Sequence, residues 1–249
     1  MKLKGLATAL LGLAVLMPLV FSTQVFAQDQ ALVALSFSKK LALARAGDNA
    51  AKLAVGEAYE QGLGVHVNTA EAAKWYRQAA LAGVLDAQYR LALIVEKGAI
   101  GIKPDKTAAL KLLQAAANKG HALSQWAFGQ RLHLGQGLTK DDKLAALWVH
   151  KAAEQGLAVA QNDYGSMLLH GWGAERNLDE AFKWFSKGAD QGDLWAMNNL
   201  GGMYEQGWGT LQNKDNAVEL YQRAAAKGNY GARKNLERLG LPVPAPAAP

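Results

Sequence analysis

The 249-residue chain contains no cysteine. That excludes a disulfide frame, a thiolate metal site and lipid attachment at a cysteine behind a leader. Proline is scarce: of six, only Pro18 and Pro104 precede residue 242. Little therefore interrupts helix through the body of the chain. A concentrated basic stripe is also missing. The formal charge of +6, from 27 basic against 21 acidic residues, is too mild to argue for nucleic acid. No Gly-x-Ser-x-Gly, Gly-rich phosphate loop or His-Glu-x-x-His occurs. These absences remove common signatures of nucleophilic, nucleotide-dependent and zinc-dependent chemistry. No catalytic residue, cofactor or metal site is assigned, and the chain does not read as an enzyme.

What is present begins with a leader. Residues 1–27 contain no acid, start with Lys2 and Lys4, run apolar from Leu6 to Phe21 and end in Val25-Phe26-Ala27. This is the pattern of a cleaved signal peptide, with cleavage expected after Ala27. The competing reading is an uncleaved anchor. Its apolar run, broken by Pro18, is short for the ~20 residues a span needs. The expectation is an exported protein, periplasmic or secreted, with no stable membrane span after cleavage and 25 basic residues left against 21 acidic.

Behind the leader, alanine, leucine and glycine recur on a fixed period. Gly47, Gly83, Gly120, Gly156, Gly192 and Gly228 lie 36, 37, 36, 36 and 36 residues apart. Such a period marks a solenoid of helical hairpins. The expected first helices start near Ala51, Ala87, Ser124, Ala160 and Ala196, with Val55, Leu91, Phe128, Tyr164 and Leu200 four positions on. Gly56, Ala92, Gly129, Gly165 and Gly201 follow directly. A helical glycine costs roughly 1 kcal/mol relative to alanine, so its recurrence predicts a close-packed partner helix. Gly62-x-Gly64, Gly135-x-Gly137, Gly171-x-Gly173 and Gly207-x-Gly209 end these helices, and Gly98-Ala-Ile-Gly101 departs from the pattern.

Second helices are expected at Asn68, Asp105, Asp141, Asn177 and Asn213, all residue types suited to an N-cap. Glu71 and Glu180, three residues on, suggest a capping box in two units. Trp75, Trp148 and Trp184 occupy one helical column beside small alanines and are assigned to the core.

The unit A-x3-LG-x2-Y-x2-G-x-G, then D/N-x3-A-x2-W-Y-x2-AA-x2-G, resembles the Sel1-like repeat, a relative of the tetratricopeptide repeat. The resemblance implies an all-α, α/α superhelical solenoid whose first helices line a concave face, and an adaptor or scaffold role. The implied layout is a half-repeat at 28–47 and five repeats at 48–83, 84–120, 121–156, 157–192 and 193–228. A cap helix at 229–241 and a disordered Pro/Ala tail at 242–249 complete it. The half-repeat rests on Leu35, Leu41, Leu43 and Ala44.

If tetratricopeptide packing holds, the positions that the repeat leaves free face a partner. These are Tyr89, Glu96, Trp126, Gln130, His133, Asn162, Asn198 and Glu205, with Trp195 just before its helix. Tyr89 and Trp126 would be aromatic anchors, and Asn162 and Asn198 would hold a peptide backbone. The competing reading is that Tyr89 and Trp126 only close gaps between helices. Trp172 and Trp208, each inside a Gly-Trp-Gly turn, offer an aromatic edge. His133 and His170 sit near the ends of consecutive first helices but lack supporting carboxylates in register, so no metal pair is assigned.

The leading expectation is a monomeric, non-enzymatic exported scaffold that binds a protein or peptide in its groove, supporting assembly of an envelope complex. The alternatives are an inhibitor or immunity protein against a secreted hydrolase, and a peptidoglycan-acting enzyme or cell-wall carbohydrate-binding protein.

Overall fold

The computed structural model describes residue 32 and residues 34–245; the leader assigned to residues 1–27 lies outside them. Among the described residues there are twelve helices and no strand beyond an isolated bridge between Ala99 and Ile102. None of the helices is long and apolar enough to cross a membrane. The fold is an all-α solenoid of about five helical-hairpin repeats.

Two compact units form among the described residues, one from those up to 94 with 98–103 and the other from 95–97 with 104–245. The first holds α1 (Phe37–Arg45), α2 (Asn49–Gln61), α3 (Thr69–Leu81) and most of α4 (Leu85–Lys97). The second continues with α5 (Lys106–Asn118), α6 (Ala122–Leu134), α7 (Asp142–Glu154), α8 (Ala158–His170), α9 (Leu178–Asp190), α10 (Leu194–Gln206), α11 (Lys214–Ala226) and α12 (Tyr230–Arg238).

First helices begin two residues earlier than the apolar period suggests. Asp48, Asp193 and Asn229 cap α2, α10 and α12 through their side chains, accepting from Ala51, Ala196 and Ala232 N–H at 2.7–2.8 Å. Trp195 is therefore inside α10, not before it. Second helices start as expected. Asn68, Asp105, Asp141, Asn177 and Asn213 each accept the N–H three residues on, at 2.8–3.0 Å. The capping box is only half formed, because Glu71 and Glu180 turn to Lys74 and Lys183 instead of back to the cap. On an exposed first turn, a lysine one turn away competes successfully for the carboxylate.

The core differs from the sequence expectation by one position. Trp184 is buried, but Trp75 and Trp148 are only half-buried. The fully buried residue of each second helix is the next one: Tyr76, Leu113, Val149, Phe185 and Tyr221. This column explains the helical glycines. A β-carbon on Gly56, Gly165 or Gly201 would sit 2.5–2.9 Å from the ring of Tyr76, Phe185 or Tyr221, and one on Gly129 2.7 Å from Val149. The seam is thus a ring or branched side chain laid on bare backbone. Stacked on it, Ala51, Ala87, Ser124, Ala160, Ala196 and Ala232 are completely buried.

At the N-terminal end, α1 packs Ala44, Leu41 and Phe37 onto Ala51 and Val55, and Phe37 meets Tyr59 edge-on at 5.3 Å. Leu43, one of the residues on which the half-repeat rests, is exposed, because it lies about 100° round the helix from Ala44. At the other end Ala232 and Leu236 of α12 are fully buried. The described part of the tail reaches Ala245, and Arg233 Nη1 donates to the Pro244 carbonyl at 3.1 Å.

Candidate binding face

Within the second unit the exposed edge of the first helices carries a continuous hydrogen-bonded seam. It starts on α6, where the Trp126 indole N–H donates to Asp163 Oδ2 of α8 at 2.6 Å and Gln130 Nε2 donates to the same oxygen. Asn162 Nδ2 donates to Asp163 Oδ1 at 3.0 Å, and Asn199 Nδ2 of α10 donates to Asn162 Oδ1 at 2.9 Å. Asn198 reaches Asn199 at 3.4 Å, and Asn235 Nδ2 of α12 donates to Asn198 Oδ1 at 3.0 Å. Arg238 closes the seam on Glu205 at 2.7 and 2.8 Å, and the Tyr221 hydroxyl donates to Glu205 at 2.9 Å.

Electrostatics follow the seam. Arg238, hydrogen-bonded to Glu205, is the main reason that this carboxyl is held below the usual glutamate range, against the opposing effect of burial. Burial, with Glu205 beside it, pushes the Tyr221 hydroxyl far up. Asp163 behaves oppositely. Burial raises it, although Trp126, Asn162 and Gln130 donate to it. Also in this unit, Glu96 pairs with Arg131 at 2.6 Å.

The first unit repeats the Glu205 arrangement independently. Glu60 accepts the Tyr76 hydroxyl at 2.6 Å and pairs with Arg90 at 3.0 Å, and Glu57 pairs with Arg90 at 2.9 Å.

Among the residues predicted from sequence, Trp126, Gln130, Asn162, Asn198 and Glu205 join this one network. Asn162 is buried, and its amide is engaged by Asp163 and Asn199, so it is not the outward peptide clamp expected of it. Tyr89 is half-buried in α4. Trp195 is 56% exposed and lies outside the seam. His133 bonds Asp142 at 2.7 Å and faces Trp172, which stacks on His170 with ring centroids 4.4 Å apart. The two histidines thus each pack against the same indole. Among the described residues no group of three His, Asp or Glu side chains could hold a metal.

Trp208 stands at the rim of an open pocket of about 230 Å³ on this face, which Asn198, Asn199, Glu205, Asn235 and Arg238 also line. Sequence reasoning missed Asp163, Asn199 and Asn235. They share one column, three residues after the buried alanine of α8, α10 and α12, where α2 and α6 carry Ala54 and Ala127. Polar side chains replacing alanine in a repeat column were the available signal.

The Sel1 repeat family model matches residues 50–84, 85–121, 122–157, 158–193 and 196–229. No curated protein matches the sequence. Among solved structures, the chain is 28% identical to a Sel1 repeat protein from Oxalobacter formigenes, covering 82% of this chain and 89% of that one at a TM-score of 0.73. It is 29% identical to c5321, a protective antigen of uropathogenic Escherichia coli, with a TM-score of 0.65; 82% of this chain matches about half, 51%, of that one. The immunity protein Pa5087 from Pseudomonas aeruginosa shares the fold at 18% identity and a TM-score of 0.55, with 81% of each chain covered. Sel1 repeats generally form non-enzymatic surfaces for protein–protein interaction, and five matched repeats over most of its length place this chain in the Sel1 repeat family.

Proposed function

We propose that the chain is an exported, non-enzymatic scaffold that holds a segment of a protein or peptide on the first-helix face of its second unit, in support of an envelope complex. One observation carries the reading. The pocket bounded by Trp208, Asn198 and Glu205 is lined mostly by positions that the repeat leaves variable, with the buried Tyr221 and Met203 behind them. A half-exposed indole lining one pocket with the Asn198 and Asn199 amides suits a polypeptide, which offers both apolar side chains and backbone groups.

A photoreactive residue at Trp208, in protein expressed with its leader, tests this. A specific protein adduct is expected, absent when the same group stands at Lys111 on the far side of a second helix. No adduct, or equal labelling at Lys111, would overturn the reading. An adduct with a secreted hydrolase whose activity falls would establish the inhibitor alternative, and turnover of muropeptides would establish the enzymatic one. Export has its own check: the mature protein should begin at Gln28 by N-terminal sequencing, and a mature chain retaining Met1 would refute cleavage.

A further inference from the structure

Four carboxylates on the first helices are met by arginines from the next first helix. Glu57 and Glu60 face Arg90, Glu96 faces Arg131 and Glu205 faces Arg238. Asp163 breaks the pattern. Its donors are the Trp126 indole, the Gln130 amide and the Asn162 amide, all neutral. The charged group that acts on it most is Asp193, also negative. Asp163 itself stands at the position that Arg90 holds in α4, three residues after the buried alanine, and like Arg90 it meets the preceding first helix; at that position α10 carries Asn199, whose amide turns to Asn162.

A partly buried carboxylate without a cation is unfavourable. Two carboxylate oxygens offer about four acceptor positions, and three donors leave one open. Asp163, Trp126 and Gln130 all keep some exposure to solvent, so the cluster lies at the surface of the stack and not inside it.

We propose that Asp163 is an anionic subsite that receives a lysine or arginine side chain of the bound polypeptide, which supplies the positive charge that its neutral donors lack. This rests on the reading that the first-helix face holds a protein or peptide, and it adds that the bound segment is basic at this point. A guanidinium or ammonium would make a charge-assisted hydrogen bond to the open acceptor position. The Trp126 indole N–H, bonded to the same carboxylate, is a built-in reporter.

The test uses the full mature protein labelled with nitrogen-15, its Trp126 indole signal assigned through Trp126→Phe. Acetyl-arginine amide, acetyl-lysine amide, glycine amide and the neutral isostere acetyl-citrulline amide are titrated separately at matched ionic strength. A saturable shift with arginine or lysine amide and none with citrulline amide is expected. Asp163→Asn should weaken that response by roughly tenfold or more, as when one partner of a desolvated charge pair is removed. An equal shift with citrulline amide, or an undiminished one in Asp163→Asn, overturns the proposal. A response to glycine amide alone also overturns it, since the site would then read a chain terminus. If Asp163→Asn does not fold, the arginine–citrulline contrast in the unaltered protein decides. Crosslinking at Trp208 is scored separately, so failure of protein capture and failure of this subsite give different results.

Discussion

Gly165 and Phe185 set the scale at which single residues matter here. Alanine at position 165 gains about 1 kcal/mol of helix propensity. Its β-carbon, however, would lie 2.9 Å from two ring carbons of Phe185, a side chain with no exposed surface in which to retreat. Overpacking of that kind costs typically 1–3 kcal/mol, so the clash wins. Gly165→Ala should lower the thermal midpoint, and adding Phe185→Leu should recover part of the loss relative to the sum of the two single changes. Strict additivity in that cycle would show that the two sites do not touch. Asp163 runs the other way. Its raised pKa means that the folded state holds the proton to higher pH than the unfolded chain. The contribution that it makes is present at low pH and lost as pH rises through its folded value. Asp163→Asn removes the buried charge but turns one amide donor onto Asn162. With these opposed, chemical denaturation at neutral pH should show a change within about 1 kcal/mol. A loss of several kcal/mol would mark Asp163 as structural. The sequence made the glycine column and its close partner legible, because glycine inside a helix needs a packing reason. It did not reveal which neighbour fills the gap. Size drew attention to Trp75 and Trp148, whereas the buried direction belongs to the next residue of each helix.

Between elements, the arrangement of Glu205, Tyr221 and Arg238 ties α10, α11 and α12 together. Glu205 has a lowered pKa, chiefly through its hydrogen bonds from Arg238. A carboxyl whose folded value lies below its ordinary 4.5 stabilises the fold fully above 4.5 and loses that contribution as pH falls through the lowered value. Backbone hydrogen-exchange protection in α12, taken relative to the intrinsic rate at each pH, should therefore fall on acidification below the ordinary glutamate range, and the fall should be blunted in Glu205→Gln. An identical acid profile in that variant would remove Glu205 from the account. The helices and their Asn or Asp caps were readable because caps and apolar period are local properties. The bonds between elements were not. Asn162 and Asn198 were expected to point at a ligand, yet they bond side chains 37 residues away, a relation that no local pattern encodes.

For the whole molecule, a repeat array is stabilised by each unit's intrinsic terms and its nearest-neighbour interfaces. The fixed interval between glycines made the repeat number and the fold visible in the sequence, since every copy answers to the same packing rule. Function was less visible for the same reason: repetition advertises the scaffold and hides the few positions that depart from it. The end of such an array needs a cap. α12 supplies one by burying Ala232 and Leu236, bonding Asn235 to Asn198 and pairing Arg238 with Glu205. Truncation after Gly228 removes all of this at once. It uncovers the apolar face that Leu236 protects and leaves Glu205 without its cation. If stability is a nearest-neighbour sum, the damage should be local. Hydrogen exchange should show lost protection across α10 and α11, with α6 and α7 close to their full-length values. Arg238→Ala alone should reproduce a small part of the effect, because it removes the ion pair and keeps the apolar cap. Uniform loss of protection from α6 through α11 would mean that the second unit unfolds as one cooperative body, and the proposed binding face, spread over α6 to α12, would then assemble or dissolve as a whole.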